Sequence, residues 1–200
     1  MEDPWTTVKR LLRYVKGTVD QGIVFPKTGE SGLQLTVFSD ADMAEDIDGR
    51  RSTSGMLVFL GSALISWLSL KQKVVPLSTC EAEYVATATA ACQAVWLRRL
   101  LGELTGAKAH PPALMVDNQP AIALAKNSVL HNQSKHIDVK FHFLRDCVDE
   151  GQIVIEFVET GRQLTDVLTK PLVRLRFTEL KNMIGMVEVL GLAAGLGENS

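Results

Sequence analysis

Leu33-Gln34-Leu35-Thr36-Val37-Phe38-Ser39-Asp40 alternates its side chains and stops on a carboxylate. Leu33, Leu35 and Val37 fall on one face, with Gln34, Thr36 and Phe38 on the other, which is the period-two pattern of a half-buried strand. An aspartate at that point has an ordinary explanation, because Asp is common where strands turn. It also has a chemical one, since a carboxylate at the carboxyl end of a sheet strand is where an α/β protein places a site. Asp42 lies two residues on and shares that face if the chain stays extended, so the strand alone leaves Asp40 and Asp42 both open.

Downstream, Gly55 to Leu60 and Ala63 to Leu68 read as two more strands, joined by the tight-turn pair Gly61-Ser62. Together the three predict an antiparallel meander. Ser78 or Thr79 then caps a long helix that runs to about Leu104, with Val85, Ala88, Cys92, Val95 and Trp96 as its apolar stripe. Glu81 and Glu83 both stand in its first turn, where negative charge is favourable. Two residues turn a helix by about 200°, so only one of them can face the sheet, and helix phase leaves the choice open.

Gly106 and Pro111-Pro112 break the chain. Ala113-Leu114-Met115-Val116 is wholly apolar, as a buried strand is, and ends on Asp117. Pro120 to Lys126 reads as a short helix, with Asn118-Gln119-Pro120 as its candidate start. Lys135 to Glu150 reads as another helix, with Ile137, Phe141, Leu144 and Val148 on one face, stopped by Gly151. Ile153, Ile155 and Phe157 alternate as a last strand. Gln163 to Thr169 is a short helix carrying Asp166 and stopped by Pro171.

Upstream, Trp5 to Thr18 predicts a helix. Trp5, Val8, Leu12 and Val15 recur at three- and four-residue steps, Lys9, Arg10, Arg13 and Lys16 lie between, and Gly17 is the candidate C-cap. The Gly- and Ala-rich stretch from Gly191 is read as a frayed tail. The order of elements predicts an α/β layered domain with a mixed sheet.

Composition narrows the function classes. The net charge of −2 is not that of a module that holds nucleic acid by charge alone. Cys80, Cys92 and Cys147 are odd in number and none has C-x-x-C spacing, so they read as reduced thiols and not as a zinc or redox site. No apolar run is long enough to span a bilayer, and the N-terminus has no secretory layout, so a cytosolic or nuclear protein with no membrane partner is expected.

Strand-end carboxylates and a glutamate in the first turn of a packed helix suit one reaction in particular. Metal-assisted phosphodiester cleavage gathers acidic side chains around two ions about 3.5–4 Å apart. Asp40, Glu83 and Asp117 stand at such positions, whereas Asp166 on its own reads first as the surface residue of a short helix.

Ordered motifs carry a family likeness. Phe38-Ser39-Asp40-Ala41-Asp42, Arg51-Ser52-Thr53-Ser54-Gly55, Ile65-Ser66-Trp67 and Leu77-Ser78-Thr79-Cys80-Glu81-Ala82-Glu83-Tyr84 resemble the ribonuclease H domain of copia-type retrotransposon Pol polyproteins. Val116-Asp117-Asn118-Gln119, Lys135-His136-Ile137-Asp138, Gln163-Leu164-Thr165-Asp166 and Thr169-Lys170-Pro171-Leu172 continue the match, which covers roughly residues 33 to 180. The resemblance implies a ribonuclease H-like fold, a five-stranded mixed sheet of three antiparallel strands and then parallel additions, flanked by helices.

It also implies cleavage of the RNA strand of RNA–DNA hybrids with two Mg2+ or Mn2+ ions. The four ligands fall by motif on Asp40, Glu83, Asp117 and Asp166. Glu83 is taken over Glu81 because the family ligand directly precedes Tyr84, and Asp40 over Asp42 because it ends the strand. In the implied roles Asp40 bridges both ions, Glu83 and Asp117 hold the one near the leaving oxygen, and Asp166 helps hold the one that activates water. Ser39, Asn118 and Gln119 are the implied contacts to the hybrid.

Residues 1–30 resemble the connection that follows the reverse transcriptase, 31–182 the ribonuclease H domain, and 183–200 a C-terminal tail. A reverse transcriptase domain in a longer Pol protein is thus an expected partner, although no Tyr-x-Asp-Asp motif occurs in this chain. The alternative is a catalytically inactive fragment that keeps only the fold or a binding role. Two departures stand out: Asp42-Met43-Ala44-Glu45 replaces the family's common Asp-Trp-Ala-Gly, and residues 159–165 hold no histidine. His131, His136 and His142 lie earlier in the chain, where helical histidines are more often structural.

Overall fold

The computed structural model describes residues 3–26, 33–43, 46, 48–126 and 138–189. The tail from Gly191, the stretch that holds His131, His136 and Ile137, the side chain of Phe141, and Ala44 and Glu45 lie outside the described residues.

Alternating apolar residues build a five-stranded sheet in the order β4-β3-β2-β5-β6. Its central strand, β2 (Leu35–Asp42), pairs antiparallel with β3 (Thr53–Leu60), which pairs antiparallel with β4 (Ala63–Lys71). On the other side β5 (Ala113–Val116) lies parallel to β2, and β6 (Val154–Phe157) parallel to β5. The expected meander with parallel additions is what forms. Strand β2 runs two residues past the expected stop, through Asp42. Gly61 makes the β3–β4 turn with φ +59°, a value that a side chain strains.

Helices cover both faces of the three antiparallel strands, so β2, β3 and β4 split their side chains between two cores, while β5 and β6 contribute to one. One core joins Leu35, Val37, Val58, Leu114 and Ile155 to helices α2 (Thr79–Thr105), α3 (Gln119–Lys126) and α4 (Asp138–Asp149). The other joins Leu57, Phe59 and Leu64 to Leu164, Leu180 and Ile184, from the segment holding helices α5 (Asp166–Thr169) and α6 (Arg174–Met183). Phe38 belongs to this second side and meets Phe59 edge-on, ring centroids 5.8 Å apart.

Helix α2 differs from its expected phase. Val85, Ala88 and Val95 are buried, but Cys92 and Trp96 are exposed. The buried face is centred instead on Ala82, Ala86, Ala90 and Ala94. Side chains this small let the helix axis approach the sheet, and the bulkier residues border that contact. Ala41 of β2 packs directly against Ala82 and Ala86.

Helix α1 (Pro4–Lys16) forms where expected, N-capped by Asp3 and C-capped by Gly17. None of its residues is buried, and Trp5, Val8, Leu12 and Val15 all face outward. Just after it, β1 (Gln21–Ile23) pairs antiparallel with β7 (Met186–Glu188), so stretches from the two ends of the chain share a small separate sheet. Among the described residues no helix is long and apolar enough to cross a membrane.

Gly55 decides how closely the α5 segment sits on β3. A Cβ there would stand 2.6 Å from Thr169 Cγ2 and 3.3 Å from the Thr165 carbonyl oxygen. Gly55→Ala should therefore lower stability in urea unfolding by about 1–3 kcal/mol through overpacking. Thr169→Ser removes the nearer methyl, so the same alanine in that background should cost clearly less. Equal costs in the two backgrounds would show that α5 is not held this close.

Candidate active site

The parallel register of β2 and β5, Phe38 beside Met115, sets two strand ends side by side. One carries Asp40 and the other delivers Asp117. Helix α2 supplies Glu83 from just past its first turn, which holds Glu81 alone, because the Ala41–Ala82–Ala86 contact holds that part of the helix against the end of β2. The Ala41 N–H donates to the Glu83 carboxylate and fixes it there. Asp40, Glu83 and Asp117 each bring one carboxylate oxygen within 4.8 Å of the others.

Asp166 opens α5 and is buried, but it is not part of that three-residue group. It reaches the group through Lys170, whose Nζ donates to Asp166 Oδ1 at 2.6 Å and to Asp40 Oδ1 at 3.0 Å. The Thr169 hydroxyl donates to the other oxygen of Asp40. The structure thus joins three of the four expected ligands directly and the fourth through a lysine.

The competing carboxylates sort themselves by their partners. Glu81 accepts from the Leu77 N–H at 2.6 Å, while Ser78 Oγ accepts from the Glu81 N–H, so this glutamate is spent on the start of α2. Asp42 is buried with one oxygen lacking a hydrogen-bond partner, and is outside the three-residue group. Ser39 points to the opposite side of β2 from Asp40 and is fully buried, and its carbonyl accepts from Gln163 Nε2 at 2.9 Å. Asn118 uses its side-chain oxygen to accept from the Ala121 N–H and so caps α3, while Gln119 is exposed.

Sequence reasoning gave no role to Gln163, Thr169 or Lys170. Gln163 is fully buried: its amide oxygen accepts from the Thr165 hydroxyl at 2.6 Å, and its side chain also hydrogen-bonds Asp117. All three residues fall inside family-like motifs, but a polar side chain in a short helix carries no periodic signal that would mark it.

Like charges this close resist ionisation. Two unit charges 4.8 Å apart repel by on the order of 3 kcal/mol at an effective dielectric near 20. Burial, then Asp40 and Asp117, push the pKa of Glu83 up from 4.5 to about 9. Burial and then Asp40 also raise Asp117, against the opposing pull of Lys170 and the Gln163 hydrogen bond. Burial works against the charged form of Lys170, but its contacts with Asp166 and Asp40 outweigh that and raise its pKa. The donor set fits a divalent cation. It offers only carboxylate oxygens, the ligands hard cations take, and Glu83 Oε2 is buried without any hydrogen-bond partner. Among the described residues the group holds no histidine.

No family model matches the chain. Curated relatives do. It is 44% identical over 188 residues to a retrovirus-related Pol polyprotein from transposon RE2 of Arabidopsis thaliana, covering 94% of this chain and 13% of that polyprotein. It is 40% identical over 185 residues to the one from transposon TNT 1-94 of Nicotiana tabacum, covering 92% of this chain and 14% of the relative. The chain therefore spans only about a seventh of these relatives. Among solved structures, LC11-RNase H1, isolated from compost, superposes with a TM-score of 0.51 at 13% identity, over 68% of this chain and 93% of that one. That likeness establishes the fold. Over nearly all of its length the chain is thus similar to one segment of Ty1/copia-type retrotransposon Pol polyproteins, and it has the ribonuclease H fold.

Proposed function

We propose that this segment hydrolyses the RNA strand of RNA–DNA hybrids, using two Mg2+ or Mn2+ ions, as the ribonuclease H part of a longer Pol protein. The observation that carries the reading is the group of Asp40, Glu83 and Asp117 at adjoining strand and helix ends of a ribonuclease H fold, with Glu83 Oε2 buried and unpaired. Asp40 would be shared between the ions, Glu83 and Asp117 completing one site and Asp166 the other. Bound there, the ions supply an activated water and stabilise the leaving oxygen.

The remaining residues hold this set in place. Thr169 fixes one oxygen of Asp40, Gln163 steadies Asp117 while tying it to the Ser39 carbonyl, and the Ala41 N–H orients Glu83. Asn118 and Gln119 follow Asp117 directly and are the proposed contacts to the hybrid; of the two, exposed Gln119 is the freer to reach it. Ser39 is buried and would act only through its backbone. Recognition through the backbone and 2′-hydroxyls of a hybrid needs no sequence reading.

Residues 31–182 would form the catalytic body, and residues 1–30 the connection to a reverse transcriptase. Two facts support that context. The relatives are polyproteins far longer than this chain, and α1 leaves its apolar stripe exposed, as a helix does when its partner lies elsewhere.

Purified protein with a labelled RNA–DNA hybrid and Mg2+ or Mn2+ should release cut RNA. Asp117→Asn should slow this on the order of 10²-fold or more, the equivalent of about 3 kcal/mol of transition-state stabilisation. Equal cleavage by both proteins, or none by either, would sink the enzymatic reading.

The raised pKa of Glu83 makes a second prediction, for metal-free protein. An acid whose folded pKa lies above its unfolded value favours the folded state while it is protonated. That contribution is complete below the ordinary value of 4.5 and is lost as pH climbs toward about 9. In a chelator, the urea midpoint of the wild type should fall between about pH 6 and about pH 8.5 by more than that of Glu83→Gln, which has no proton to lose. Parallel falls would mean that Glu83 ionises normally, and that the cluster is looser than its geometry indicates.

A further inference from the structure

The carboxylate cluster already contains a cation of the chain's own. Lys170 Nζ sits 3.0 Å from Asp40 and 2.6 Å from Asp166, joining the buried carboxylate of β2 to the one that opens α5. The two sides of the cluster are therefore unlike. Toward Glu83, a buried carboxylate oxygen has no hydrogen-bond partner, while toward Asp166 an ammonium takes the bridging place.

An ammonium in contact with two carboxylates stands where a cation shared by them would stand. The two positive charges cannot occupy that contact together, because they would meet in a low-dielectric setting. Lys170 is also able to leave. It follows the last turn of α5 with an extended backbone, φ −122° and ψ 144°, and its side chain is one-third exposed. Its four-carbon stem can carry the ammonium into water with α5 still docked on Gly55, because the docking uses Thr169 and Leu168.

We propose that Lys170 is a placeholder for the cation shared by Asp40 and Asp166. It neutralises that side while the site is empty, and it swings out as the second ion binds. This rests on the two-ion reading of the site. In consequence the two ions bind unequally, the first beside Glu83 and Asp117, the second only in competition with the lysine. Lys170 is a positioning residue in this scheme and does not touch the reacting atoms.

Calorimetric titration of Mn2+ into chelator-stripped protein, without substrate, tests it. The wild type should show one tighter and one weaker step. Lys170→Met should tighten the weaker step roughly tenfold or more and leave the tighter one within about threefold, while Lys170→Arg, which keeps the charge, should retain a weak second step. An unchanged second step in Lys170→Met overturns the placeholder and leaves the metal site standing. Absence of Mn2+ binding by every protein overturns the two-ion reading itself.

A readout on the unaltered chain covers the case in which Lys170→Met does not fold. Acylation of Lys170 by an amine-reactive reagent, followed by peptide mass spectrometry, should rise severalfold on adding Mn2+ at constant ionic strength, while exposed lysines such as Lys9 stay constant. Unchanged labelling of Lys170 at saturating Mn2+ also overturns the proposal.

Discussion

Repulsion among buried carboxylates is the constraint on which the architecture turns. Asp40 is fully buried, and Glu83 and Asp117 are gathered within 4.8 Å of it. An arrangement of that kind opposes folding, so it must be imposed by elements held together for other reasons. The two apolar cores on opposite faces of the sheet do the imposing. Between them they fix the neighbouring ends of β2 and β5, the start of α2 and the short helix α5 around one site. Each device around the carboxylates then relieves part of the repulsion: a hydroxyl on Asp40, an amide on Asp117, a backbone N–H on Glu83, and one ammonium between Asp40 and Asp166.

The parts of this that were legible in the sequence are those that repeat. Alternation along Leu33–Asp40 and the apolar run before Asp117 located β2 and β5; strand-end position marked Asp117, but it left Asp40 and Asp42 both open, and β2 in fact runs on through Asp42. The choice between Glu81 and Glu83 was not legible from the stripe of bulky residues. Of that stripe Val85, Ala88 and Val95 are buried, but Cys92 and Trp96 lie outside, so it sets the helix face off to one side of where it lies. Alanines at 82, 86, 90 and 94 mark the true face, and Glu83 lies in its middle while Glu81 turns away. A size-blind reading of helix periodicity would have found the inward glutamate, because close approach to a sheet selects for small side chains.

The contributions of Asp166, Gln163 and Lys170 were not legible, for a different reason. Helix α5 is four residues long, too short to show a period, and its polar residues face inward because α5 is docked, not because of any local pattern. Asp166 meets Lys170 four residues on, but Gln163 and Lys170 also reach partners far away in the chain, at Ser39, Asp40 and Asp117. Only tertiary packing brings them together, so for these residues the family-like motifs carried information that the physics of a single stretch does not.

That packing gives two of those motifs one physical meaning. Arg51-Ser52-Thr53-Ser54-Gly55 contains no carboxylate, and Thr169-Lys170-Pro171-Leu172 reads as little more than the end of a short helix. In the sheet register Gly55 stands opposite Asp40, and the space that a side chain would occupy there is filled by Thr169. The threonine so placed donates to Asp40, and the next residue sends its ammonium to the same carboxylate. The missing Cβ on β3 is thus what allows α5 to approach, and α5 is what holds the central aspartate in a single orientation. The two segments are halves of one contact, and a change in either should disturb Asp40 before it disturbs the sheet, because the strand pairing of β2 with β3 and β5 does not pass through Thr169.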